Sequence, residues 1–95
     1  SNFGQGDLSR CLMLWKLPPS VCGLKKLRVW KMGWTAVVHL PHDFGKLQSL
    51  THIDFEGCES LEELPDSFSE LSNLETVDLS RCSMLCLLTP SAAGL

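Results

Sequence analysis

The sequence predicts an α/β solenoid of about four right-handed rungs. Short parallel strands should line a concave face, and 3-10, short helical or irregular segments should return along the convex face. Three observations predict it. The apolar residues Leu47, Leu50, Ile53, Phe55, Cys58, Leu61 and Leu64 recur in steps of three and two, a spacing neither helical nor strand-like for long. The pattern begins again at Leu71, 24 residues after Leu47. The segment Asp7-Leu8-Ser9-Arg10-Cys11 is then repeated letter for letter at Asp78-Leu79-Ser80-Arg81-Cys82, 71 residues on, which is three periods of 24 less one. A fixed period of this length marks stacked units, each contacting only its neighbours.

In this register the chain is one domain or fragment, 1–95, with rungs at about 1–23 (partial), 24–46, 47–70 and 71–94, and a further rung beginning at Leu95. The alternating piece Ile53-Asp54-Phe55 has the spacing of a strand that buries one face. Its equivalents place strands at Gln5–Leu8, Val29–Met32, His52–Phe55 and Thr76–Leu79. In the first rung Gly6 stands where the others have a large inward residue. The second rung is one residue short; the deletion is expected between Met32 and Trp34, with Trp30, Met32 and Trp34 all filling the interior. The last rung, Leu71 to Leu88, is expected to leave Leu79, Leu85 and Leu88 facing water, because no rung follows to cover them. The returns share a phrase: Leu17-Pro18-Pro19-Ser20-Val21, Leu40-Pro41-His42-Asp43-Phe44 and Leu64-Pro65-Asp66-Ser67-Phe68. Proline suits a turn out of the core, the Asp or Ser after it can cap a short helical turn, and Val21, Phe44 and Phe68 then close the outer side.

Composition narrows the function. A net charge of −3 and eight Lys and Arg residues, of which only Lys25, Lys26, Arg28 and Lys31 lie close together, argue against a nucleic-acid partner. No apolar run approaches the roughly 20 residues that span a bilayer, so no membrane partner is expected. The N-terminus lacks the basic start and apolar core of a signal peptide. Five cysteines cannot all pair, and neither Asn2 nor Asn73 begins a glycosylation acceptor; a reduced, cytoplasmic setting follows. Cys11, Cys58 and Cys82 share one place in successive rungs, where ladder side chains point the same way, so they read as thiols donating to turn carbonyls and not as disulfides. Cys22 and Cys86 fall on returns.

Outward strand positions form three columns: Gln5, Val29, His52 and Thr76; Asp7, Lys31, Asp54 and Asp78; Ser9, Gly33, Glu56 and Ser80. Two readings stay open for this face. It is either an ordinary solvated surface or a protein-binding site preferring basic residues, centred on Asp54, Glu56 and Asp78 and extended by Lys31, His52, Thr76, Ser80 and Arg81. His39 and His42, with Asp43, lack the remaining ligands of a zinc site and read as surface histidines. Gly4-Gln5-Gly6 lacks the strand before it and the helix after it that a phosphate loop needs. No catalytic residue, metal or cofactor is expected. Trp15 and Val38, beside the Leu-Pro step and next to Cys86 and Leu87 farther along, form a lateral apolar strip suited to contact with another domain.

The phrase from Phe55 to Phe68, FEGCESLEELPDSF, followed by Leu71-Ser72-Asn73-Leu74, resembles the leucine-rich repeats of plant intracellular nucleotide-binding immune receptors and of related land-plant repeat proteins. Cys at the turn and Leu-Pro at the return resemble the intracellular branch more than cell-surface receptors. The resemblance implies a sensor region that recognises a pathogen-derived or host protein and contacts an adjacent receptor domain; nucleotide chemistry would belong to sequence outside these residues. The alternatives are a scaffold subunit that self-associates end to end through uncapped rungs, and the substrate-recognition part of a ubiquitin ligase adaptor.

Overall fold

The structure, a computed structural model, describes residues 5–88. Four parallel strands, β1 (Gln5–Asp7), β2 (Val29–Lys31), β3 (His52–Asp54) and β4 (Thr76–Asp78), stand in chain order in one sheet. Gln5 pairs with Val29, Val29 with His52 and His52 with Thr76, and the column through Asp7, Lys31, Asp54 and Asp78 is equally in register. Each strand is one residue shorter than expected, yet that next residue still donates across the ladder, as in Met32 N–H to Asp54 O at 2.9 Å and Phe55 N–H to Asp78 O at 2.9 Å.

The returns are 3-10 segments at Pro19–Gly23, Phe44–Lys46 and Asp66–Glu70. Capping by Asp or Ser, expected from the sequence, does not occur: the residues before them are Pro18, Asp43 and Pro65, with no side-chain cap on any. Ser67 is used between rungs instead. Its hydroxyl donates to His42 O at 2.6 Å and accepts from Gly45 N–H at 2.9 Å, tying one return to the next where a five-residue turn has few donors to cap.

Between sheet and returns lies one continuous core of Leu, Ile, Val, Met and aromatic side chains, including Leu27, Trp30, Met32, Leu50, Ile53 and Leu61. Phe44 is its hub, edge-on to Trp30 at 5.2 Å, tilted against Phe55 at 6.3 Å and stacked on Phe68 at 6.4 Å. That is the geometry aromatic quadrupoles favour. The indole N–H of Trp30 is buried without a partner among the described residues.

The cysteine column behaves as the register implied in two of its three places. Buried Cys58 donates to Met32 O at 3.1 Å and Cys82 to Phe55 O at 3.2 Å, each reaching the preceding rung; neither forms a disulfide. Burial raises the Cys58 thiol above its ordinary pKa, as the S–H donor role requires. Cys11 departs from the pattern and is exposed, since no preceding rung offers it a carbonyl among the described residues.

The short second rung also differs from expectation. Thr35 occupies the cysteine place, buried 3.8 Å from Cys58 Sγ. Trp34 takes the left-handed turn position (φ 62°) shared with Arg10, Gly57 and Arg81. The missing residue therefore falls between Thr35 and Val37, after the turn and not before it, and Trp34 lies half-buried outside the core that Trp30 and Met32 fill.

In the last rung, α1 (Ser83–Leu88) was not expected, and it buries Leu85 instead of leaving it in water. Leu79 is half-buried, whereas Val77 on β4 is 38% exposed. Leu24 is likewise exposed although its counterparts Leu47 and Leu71 are buried, because Leu47 and Leu71 have a return packed before them and Leu24 follows the first one described. Expectations for Phe3, the Thr89-Pro90 step and Leu95, for the inward place at Gly6, and for the side chains of Gln5, Asp7, Cys86, Leu87 and Leu88, lie outside the described residues.

Candidate functional site

The outward sides of β2, β3 and β4 line a shallow depression of about 590 Å³ that includes Lys31, His52, Asp54, Thr76, Asp78 and Ser80. Alternation along each strand decides this: Ile53, between His52 and Asp54, faces the core, so its neighbours face out. The strands are too short to wander from that alternation, and parallel register stacks each column directly.

At the lower end of the columns the chain turns, and two carboxylates hold the turn. Asp54 accepts from the Glu56 N–H at 2.9 Å and Asp78 from the Ser80 N–H at 2.9 Å, the same bond one rung apart. Hydrogen bonds from Ser80, side chain first and backbone second, hold the Asp78 carboxyl below its ordinary range. The result is that Asp54, Glu56 and Asp78 each place a carboxylate oxygen within 4.8 Å of the others, all half-buried. Like charges at that separation repel by about 1 kcal/mol per pair even in water-like surroundings, so a cationic group arriving between them is favoured. Both aspartates already spend an oxygen on backbone, and no metal or cofactor is assigned to the cluster.

The other expected residues are arranged around it. Lys31 shares the aspartate column one rung back, and Thr76 and His52 share the next column out. His52 Nδ1 lies 2.7 Å from the Thr51 hydroxyl, which fixes its ring. Arg81 is exposed and sits at the turn, its guanidinium 6.0 Å from the Trp34 ring.

Trp34 is the residue that strand alternation alone misplaced. Its ring lies flat over Gly57, where a Cβ would run into the indole, and Gly57 itself is left-handed (φ 77°). Glycine in the turn of the third rung thus makes room for the tryptophan of the second. The signal was present in the 23-residue spacing of Trp34 and Gly57, but only a fixed turn position makes that spacing meaningful. Trp34 and Arg81 border the acidic cluster with the two side-chain types that most often anchor protein interfaces.

Residues 49–71 match the Leucine Rich Repeat family model. A solved structure of a leucine-rich-repeat protein from Leptospira interrogans superposes with a TM-score of 0.65 at 21% identity, covering 70% of this chain and 17% of that one. The fold is a leucine-rich-repeat solenoid. No curated protein sequence matches the chain. The leucine-rich repeat explains the division of labour among these residues: the inward ones satisfy the repeat, and the outward columns are free to vary. Leucine-rich-repeat domains are in general protein-binding modules, and the chain spans less than a fifth of the solved relative's length.

Proposed function

We propose that this chain recognises a protein through the outward face of its sheet, with a preference for a basic segment on the partner. The convergence of Asp54, Glu56 and Asp78 carries this reading, since three carboxylates within 4.8 Å present a charge that a Lys or Arg side chain neutralises. Lys31, His52, Thr76, Ser80 and Arg81 supply the surrounding contacts, and Trp34 an apolar wall. No step of bond making is assigned to any of them; the mechanism is complementary side chains on a rigid scaffold.

As the setting for that activity we propose the sensing region of a plant-type intracellular nucleotide-binding immune receptor, in the cytoplasm. What supports it is the FEGCESLEELPDSF phrase and the cysteines at the turn. Cys58 and Cys82 donate S–H bonds to Met32 and Phe55, an arrangement that needs reduced thiols. The partner would then be a pathogen-derived protein, a host protein or an adjacent receptor domain.

The test is charge reversal. A Lys- and Arg-rich synthetic peptide should bind the 95-residue chain at low salt, and Asp54→Lys with Asp78→Lys should weaken it at least about tenfold, the difference shrinking as salt rises. Binding unchanged by the double reversal at low salt would sink the assignment.

A further inference from the structure

A second surface, on the lateral side of the solenoid, has the opposite chemistry. Leu12 is 69%, Met13 89% and Trp15 63% exposed, three large apolar side chains within four residues. Trp15 lines a groove of about 460 Å³ together with Leu17, Pro19, Val38, Leu40 and Pro41. Its floor is not loose loop. Ala36 N–H donates to Leu14 O at 2.8 Å, Val38 N–H to Trp15 O at 3.2 Å and Glu62 N–H to Val38 O at 3.0 Å, a second backbone ladder beside the main sheet. Apolar side chains held on such a ladder keep their places whether or not they are covered.

The charges say what would cover them. The groove's own ionisable residues are Lys16 and His39. His39 is already placed between Glu62 and Glu63, at 3.8 Å and 3.7 Å. Lys16 lies 6.0 Å from the Trp15 ring centroid and, among the described residues, makes no ion pair. The wider distribution agrees: seven of the eight Lys and Arg residues fall in residues 1–50, and nine of the eleven Asp and Glu in residues 51–95. Because the rungs stack in chain order, the segregation becomes a positive first half and a negative second half.

We infer that this groove docks a peptide segment of another protein in which apolar anchors are flanked by carboxylates. The anchors lie on Trp15, Val38 and the two Leu-Pro steps, and the carboxylates point toward Lys16, away from Glu62 and Glu63. The chain thus carries two recognition faces with opposite charge preference, the sheet face for a basic segment and the lateral groove for an acidic, apolar one.

The experiment uses the isotopically labelled 95-residue chain and two synthetic peptides, one with Leu and Trp anchors flanked by Glu, the other identical but with Lys for Glu. The Glu peptide should shift the Trp15 indole and the Val38 and Leu40 amide signals saturably. Lys16→Glu and Trp15→Ala, both at exposed positions, should each weaken it about tenfold, and the Lys peptide should bind about tenfold less well. The double reversal at Asp54 and Asp78 should leave these shifts in place, which separates this groove from the sheet face. Four results overturn the proposal: no shift at millimolar peptide; equal binding of both peptides; the same signals broadening with protein concentration alone, which makes a second copy the occupant; or shifts produced by phosphatidylserine vesicles and not by peptide, which makes it a lipid surface.

Discussion

Replacing Gly45 by alanine should be the most damaging single-methyl change in the chain. Gly45 sits in the 3-10 return Phe44–Lys46, packed directly on the next return, Asp66–Glu70. A Cβ there would overlap the carbonyl of Ser67 and approach its Cβ to 2.8 Å. Backbone cannot step aside as a side chain can, so the two returns must separate. Forced overpacking of this kind costs about 1–3 kcal/mol. Separation also breaks the Gly45 N–H to Ser67 Oγ bond, at about 1 kcal/mol. It further loosens the parallel stack of Phe44 on Phe68, about 0.5–1.5 kcal/mol. Together these amount to about 3–5 kcal/mol, a large share of the roughly 5–15 kcal/mol that holds a domain folded. Urea unfolding followed by circular dichroism measures it, with Gly23→Ala as the internal control, since nothing among the described residues lies within 4 Å of a Cβ at Gly23. Gly23→Ala should stay within about 0.5 kcal/mol of the parent. A loss under about 1 kcal/mol for Gly45→Ala would refute the reasoning that adjacent returns are locked backbone to backbone.

Cys58→Ala removes the S–H donor to Met32 O and leaves that buried carbonyl without it, so a loss of about 2–3 kcal/mol is expected in the same unfolding assay. The folded-state pKa values of Cys58 and Cys22 lie above the ordinary 9.0, mainly through burial. Their contribution to stability is therefore complete below pH 9 and lost as pH rises through the raised values; the thermal midpoint should fall in alkali, and less steeply in Cys58→Ala. Asp78 has the opposite sign. Its lowered pKa gives stability that is present above the ordinary 3.8 and lost as pH falls through the folded value, and Asp78→Asn should flatten that acid limb. Trp30→Phe removes a buried N–H that has no partner among the described residues at the expense of some packing against Phe44, so its stability should lie within about 1 kcal/mol of the parent; a loss above about 3 kcal/mol would show that the indole nitrogen is satisfied after all.

The repeat was legible because its inward positions obey one rule. Leu47, Ile53, Phe55, Cys58 and Leu61 announce a coil returning every third residue, and the paired DLSRC segments fix the strand register without ambiguity. The columns holding Asp54, Glu56 and Asp78 follow from that register alone. What escaped was set by contacts between rungs, which no single rung displays. The deletion could be slid past the turn until the left-handed backbone at Trp34 placed it after Thr35. Ser67 looked like a cap for its own turn, but its partners lie 22 and 25 residues away in the previous return. Helix α1 also escaped: it stands level with residues 59–64 of the rung before, ahead of the Leu-Pro step where no helix was expected, and it buries Leu85. The lateral groove was half visible as Trp15 and Val38; its charge was not, since polarity along the solenoid emerges only when rungs are counted as layers.

The deletion after Thr35 has a further consequence. Lys31, Asp54 and Asp78 stay level although the rungs they belong to differ in length, because the slack is taken up beyond the turn, on the path back around the core. Length changes in that path leave the ladder of recognition residues untouched, whereas adding or removing a whole unit extends or shortens it by one strand spacing, about 4.8 Å. A lineage carrying this solenoid can therefore alter how long a footprint it reads, in discrete increments, while every surviving column keeps its alignment.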